Sequence, residues 1–257
     1  QKGKLMMSRI GTLAAMLALA GLTAGCQTMD MGGMVGAGSK AVQAFSLSDQ
    51  EVIALSDQSC QQMDAEHKVA SANSKYNQRL QRVVKPLTKP LNGQTPSFKV
   101  YQTQEVNAWA MANGCIRVYA GLMDQMNDDE LRGVIGHEMG HVELGHSKKA
   151  MQTAYSLSAA RDAAAATGNT LVTPLNASQL GELSEAFLNA QFSQSQESDA
   201  DDYSFELLSE RQLKTQGLVT AFEKLAALDG GQSSVMSSHP GSKERAQRMQ
   251  QRIDAAQ

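Results

Sequence analysis

His137 and His141 stand four residues apart, with Glu138 between them, in a stretch from Asn127 to about Gln152 that reads as one helix. No other feature restricts the fold of this chain as strongly. Residues four apart on a helix are separated by about 400°, so both imidazoles leave the same face one turn apart and can reach a single ion. Zinc takes such nitrogens at about 2.0–2.1 Å in a tetrahedral shell. Glu138 lies beside that face, where it cannot easily ligate the same ion but can hydrogen-bond a water held there. That is how zinc and a carboxylate base together direct water at a carbonyl. The chain has 5 histidines, and three fall at 137, 141 and 146, so a solvated helix with chance histidines is a poor account. Asn127 is the expected cap, and Asp128, Asp129 and Glu130 place negative charge at the positive end of the helix dipole.

A catalytic zinc needs a third protein ligand and one open position. The long pattern of a third histidine would need glycine at 144 and histidine at 147, where the chain has Leu144 and Ser147. On a continuous helix, His146 lies about 140° round from His141, which leaves it a supporting or structural role. The better candidates are carboxylates. Glu197 and Asp201 are again four apart, on what reads as a second long helix from Gln179 to about Arg211. One of the pair can ligate the ion while the other accepts the free N–H of a ligating histidine and fixes its tautomer. Asp199 and Asp202 lie off that face and read as solvated or capping charges.

Composition excludes other classes. The 257 residues are 42% hydrophobic and 19% charged with 5 prolines, a folded-protein composition. A net charge of −3 offers no electrostatic case for nucleic acid. Residues ahead of Met6 or Met7 read as lying outside the natural start. Lys2, Lys4 and Arg9 precede an apolar run from Ile10 to Leu22, shorter than the roughly 20 residues that span a bilayer. The run ends at Thr23-Ala24-Gly25-Cys26 and reads as an export signal. Its ending is similar to that of bacterial lipoproteins, which implies acylation of Cys26; an ordinary cleaved signal with a coincidental cysteine is the alternative. Gln27 is not the Asp that favours inner-membrane retention, so the resemblance points to the outer membrane. Export leaves Cys60 and Cys115 as a pair in an oxidising compartment, predicting a disulfide against the alternative of two free thiols. The expected organisation is a signal over 1–25, a lipidated flexible tether over 26–45 and one domain over 46–257.

Within that domain the periodicity predicts a helix from Ser46 to about Ala70 with Ser48 as its cap, and another from Ser74 to Val84. Strands follow around Phe98–Tyr101, Val106–Met111 and Ile116–Tyr119, with a hairpin turn at Asn113-Gly114. The rest reads as helix, including an Ala-rich stretch at 159–166, Leu218–Leu228 and Ser242–Asp254. The fold class is α+β: a mainly helical domain with a small antiparallel sheet and the histidine motif on a central helix. His67 reads as a solvent-facing helix residue.

The His137-Glu138-x-x-His141 motif, with His146 and Glu197-x-x-x-Asp201, resembles the gluzincin metallopeptidases related to HtpX and the CAAX prenyl protease, and most closely their lipidated, soluble envelope members. The segments from Val106 to Cys115, Ala190 to Gln194 and Ser238-His239-Pro240 carry the same likeness. It implies a zincin-like fold and one zinc ion held by His137, His141 and Glu197, with Glu138 as general base. Asp201, His146 and Arg245 would stand behind the ligands. Asn107, Ala108, Trp109 and Ala110 would form a substrate-binding edge strand, which sequence alone reads as an ordinary hairpin strand. His239 would act as oxyanion stabiliser or as a fourth ligand that keeps the enzyme latent. The implied activity is zinc endopeptidase cleavage of unfolded or damaged envelope proteins from the periplasmic face of the outer membrane, with other envelope quality-control proteases as partners. The competing reading is a non-enzymatic envelope chaperone or assembly lipoprotein with a structural or latched zinc. An inner-membrane protease is disfavoured, because no run of about 18 apolar residues occurs.

Overall fold

The computed structural model describes residues 47–158, 175–228 and 238–256. Cys26, the expected signal and tether, and the Ala-rich stretch lie outside them. The first helix, α1 (Asp49–Glu66), begins where the capping box predicts: Glu51 N–H donates to Ser48 Oγ while Ser48 N–H donates to Glu51. Ser74 caps α2 (Lys75–Val84). Three strands follow, β1 (Ser97–Tyr101), β2 (Ala108–Ala110) and β3 (Cys115–Tyr119).

Their order is β1-β3-β2. The turn at Asn113-Gly114 closes a β2–β3 hairpin, with Ala110 opposite Ile116. The sheet is mixed, however, and not wholly antiparallel: β1 runs parallel to β3, with Phe98 opposite Ile116. The reason lies in β3, all five of whose residues are buried, as befits a central strand covered on both faces. Residues 102–107 carry the chain from β1 to the far edge, and the hairpin then returns it up the middle. The outer edge of β1 is covered by the segment after α1, through Ala70 N–H to Val100 O (2.9 Å) and Gln102 N–H to Lys68 O (2.8 Å). That leaves β2 as the edge beside the site.

The remaining helices are α3 (Ala120–Gln125), α4 (Asp128–Glu143), α5 (His146–Leu157), α6 (Ala177–Leu188), α7 (Gln194–Glu210), α8 (Gln216–Ala227) and α9 (Ser242–Ala255). Two long helices expected from the sequence are each broken. The first stops at Leu144, because Gly145 adopts a left-handed conformation (φ 74°) and the chain restarts at His146. The second is interrupted at 189–193, where Ser193 and Gln196 form a new capping box.

Strand alternation divides the core. Val100, Ala108, Ala110, Ile116 and Val118 join α2, α4, α8 and α9, whereas Tyr101, Trp109, Cys115 and Tyr119 join α1, α5 and α6. The expected Cys60–Cys115 disulfide ties α1 to β3 on the second side. Beside it Arg117, 2% exposed, is held by Asp64 at 2.8 and 3.0 Å. His67 is not a solvent-facing helix residue; it ends α1, and its ring stacks on Tyr101 with centroids 4.3 Å apart.

Candidate metal centre

The helix that carries the motif is fixed at its start by Asn127, whose Oδ1 accepts from Glu130 N–H at 2.9 Å. From Leu131 to Val142 only Arg132 escapes burial. Two glycines on α4 determine what reaches the histidines. A Cβ on Gly136 would lie 2.5 Å from Ser204 Oγ, and one on Gly140 would lie 3.1 Å from the Ala200 backbone. Their bare surfaces let α7 press against α4, which brings Glu197 and Asp201 to the imidazoles.

The result is a buried cluster of His137, His141, Glu197 and His239, with one donor atom from each lying within 4.8 Å of all the others. His141 Nε2 lies 3.0 Å from His137 Nε2, and His137 Nε2 lies 3.2 Å from His239 Nδ1. Glu197 Oε1 lies 3.3 Å from His141 Nε2 and 2.9 Å from His239 Nδ1. The edge of a tetrahedron built on metal–ligand bonds of about 2.0–2.1 Å measures about 3.3–3.4 Å, so these separations suit one small cation. The donor chemistry agrees. Three ring nitrogens converge on one point with Glu197 Oε1, while Arg245 Nη1, 2.5 Å from Glu197 Oε2, holds the other carboxylate oxygen. The residues therefore fit a zinc-type ion.

Supporting contacts orient each ligand. Asp201 Oδ1 lies 2.8 Å from His137 Nδ1, which directs Nε2 at the cluster. Arg245, expected behind the ligands, is buried and grips Asp201 through Nε at 2.9 Å and Nη2 at 2.6 Å. Its guanidinium carbon sits 4.1 Å above the Phe222 ring. Because the chain turns at Gly145, His146 comes back to His141, Nδ1 to Nδ1 at 3.1 Å; on an unbroken helix it would have pointed elsewhere. Asp202 departs from expectation too, since it pairs with Arg248 and Arg252 of α9.

Glu138 is buried, with Oε1 3.5 Å from His239 Nε2. Burial lifts its carboxyl above the usual range against the pull of His239 and His137. Burial alone would raise Glu197 as well, but the His239 and His137 charges hold it far below an ordinary carboxylate. His141 is pushed well down by burial and by His137. His239 goes the other way: burial opposes its charge, and the Glu197 and Glu138 carboxylates outweigh it. The cluster thus holds a permanent anion at Glu197 and favours positive charge in its midst.

The expected edge strand lies against this cluster. Asn107, Ala108, Trp109 and Ala110 line a cavity with Glu138, Phe192 and His239. Asn107 O accepts from Tyr119 N–H and Met111 N–H donates to Cys115 O, so by alternation the polar groups of Ala108 and Ala110 face away from β3. Ala110 O is taken by Ser147 Oγ at 2.7 Å. Sequence reasoning missed Phe192, which stacks on His141 with centroids 3.8 Å apart. Its signal was faint: one aromatic residue in a polar connection read as helix interior.

A helix-borne pair of histidines, a carboxylate from a second helix, a buried acid beside them and an edge strand across the cleft define a metallopeptidase. Residues 74–253 match Peptidase family M48. The chain is 52% identical over 248 residues, 96% of its length and 98% of the relative's, to Metalloprotease LoiP of Escherichia coli (strain K12). It is 48% identical over 251 residues, again 96% and 98%, to Metalloprotease YcaL of the same organism. A shorter match, 30% identical over 83 residues, covers 31% of this chain and 28% of a Protease HtpX homolog from Methylacidiphilum infernorum (isolate V4). The chain belongs to peptidase family M48.

Proposed function

We propose that this metalloprotease is a zinc endopeptidase that cleaves unfolded or damaged cell-envelope proteins, tethered to the outer membrane by lipid on Cys26 with its catalytic domain in the periplasm. The observation that carries the chemistry is the convergence of His137, His141 and Glu197 donors on one point, with Glu138 beside it and outside the ligand set. Zinc bound there supplies Lewis acidity, polarising the scissile carbonyl and acidifying water. Glu138 takes the proton of the attacking water and returns it to the leaving amine, work suited to a carboxyl that lies beside the ligand donors without joining them. Asp201 and Arg245 hold the His137 tautomer and restrain Glu197. Strand addition along Ala108–Ala110 reads backbone more than side chain, which suits substrates recognised by being unfolded.

His239 is the residue on which a second reading turns. Its Nδ1 sits among the ligand atoms, so the cluster offers four donors, an arrangement shared by a structural site and a resting enzyme. Membership of a peptidase family favours the latter, with His239 as a latch that must leave before substrate is bound. No described helix is long and apolar enough to cross a membrane, which is compatible with a lipid anchor. Incubation with an envelope protein in folded and in unfolded form tests the assignment. Cleavage of the unfolded form alone is expected; equal cleavage of both, or of neither, contradicts it.

A further inference from the structure

Behind Phe192 lies a second cavity, of about 490 Å³, that no step of this hydrolysis uses. It opens between α5 and the α6–α7 connection, with Ala150 and Thr153 on one wall and Ala186 and Ala190 on the other. The cavity over the metal cluster measures only about 20 Å³, room for about one water. Phe192 and Ala190 line both, so the wall they share is the Phe192 ring and the small Ala190. That ring is half-buried. It rests on the His141 imidazole, and the Phe192 N–H donates at 3.2 Å to the carbonyl of Ser238, next to His239. With that wall in place, the space between β2, Glu138 and His239 is too small for a peptide bond and its side chains.

We propose that the second cavity receives the side chain of a substrate residue next to the scissile bond, with Phe192 as the movable wall that joins it to the metal cleft. The inference rests on the endopeptidase reading. A substrate strand laid along β2 sends successive side chains to opposite faces, and its course past the metal brings one of them against the Phe192 wall. Three alanines and a threonine leave the space beyond open, Leu157, 76% exposed, gives it an apolar lip, and Lys149, Asn189, Gln191 and Gln196 line its remaining sides. The subsite therefore takes large side chains, and the small wall residues set that preference.

Mapping the cuts made in unfolded casein by mass spectrometry tests this. Ala186→Phe and Thr153→Phe each fill the cavity from a half-exposed position, on opposite walls. Both should lose cleavage about 10-fold or more at sites with a large residue at one fixed position beside the cut, while sites with a small residue there are retained. Phe192→Ala should widen that same position toward the largest side chains. Ala226→Phe, which fills a separate groove between α8 and α9, should leave the pattern unchanged. An unchanged pattern in both filling variants overturns the proposal, as does a uniform fall at every site in Phe192→Ala, which a role confined to supporting His141 would produce. Failure of the unsubstituted protein to cut at all would remove the endopeptidase reading instead.

Discussion

Replacing Glu138 by glutamine separates chemistry from structure at this site. The carboxylate is 2% exposed and contributes no atom to the ligand cluster, and glutamine keeps its shape. A positioned general base contributes about 10²–10⁴ in rate, so at about 1.36 kcal/mol per tenfold the barrier should rise by about 3–5 kcal/mol. Stability should move the other way. Burial places the folded Glu138 pKa above its unfolded value, so the folded state binds the proton more tightly, and its charge costs stability as pH rises past the unfolded value. Glutamine has no charge to bury, and the thermal midpoint of the metal-free protein at neutral pH should not fall. Casein cleavage, zinc content and a melting curve on one preparation read all three quantities. A Glu138→Gln protein that carries its full zinc and cleaves within tenfold of the unsubstituted rate would refute the assignment of Glu138 as base.

Three further outcomes follow from the same geometry. His239→Ala removes the fourth donor from the cluster and should raise basal casein hydrolysis several-fold; a fall of about 10²-fold would instead assign His239 to oxyanion stabilisation. Opening the Cys60–Cys115 bridge by paired substitution to serine frees a loop with a sequence separation of 55 and should cost about 4 kcal/mol in a denaturant titration; a loss under 1 kcal/mol would contradict the predicted role of the bridge. Asp64→Asn leaves the buried Arg117 guanidinium without its anion and should cost about 3 kcal/mol at neutral pH. Burial works to raise the Asp64 pKa, but Arg117 and Lys99 bring it below the ordinary carboxylate value. Its contribution is therefore complete above about pH 4 and fades as pH falls through the lower folded value. The substituted protein should lack that acid-side loss, and parallel acid melting of the two would contradict it.

Much of the site was legible in the sequence because its signals are local. Ser48 with Glu51 and Asn127 with Glu130 marked helix starts to within a residue. The four-residue spacings of His137 with His141 and of Glu197 with Asp201 put each pair on one helix face. What escaped was set by tertiary contact. A single glycine is tolerated inside a helix, so nothing local distinguished Gly145 as a break, although that break is what returns His146 to His141. The parallel pairing of β1 with β3 depends on which strand is covered on both faces, a fact about layers that alternation along one strand does not carry. Resemblance alone places Arg245 behind the ligands, since its local pattern is that of a charged helix; the approach of α9 to α7 is what buries it against Asp201 and Glu197.

The central claim is that one metal ion held by His137, His141 and Glu197 makes this chain a protease. Metal analysis of the purified protein, alongside casein cleavage before chelation, after chelation and after zinc is restored, tests it most directly. The account predicts one zinc per chain, loss of cleavage with the metal and recovery with zinc, and neither metal nor cleavage in His141→Ala. Full cleavage by metal-free protein, or a full zinc complement in His141→Ala, would contradict it.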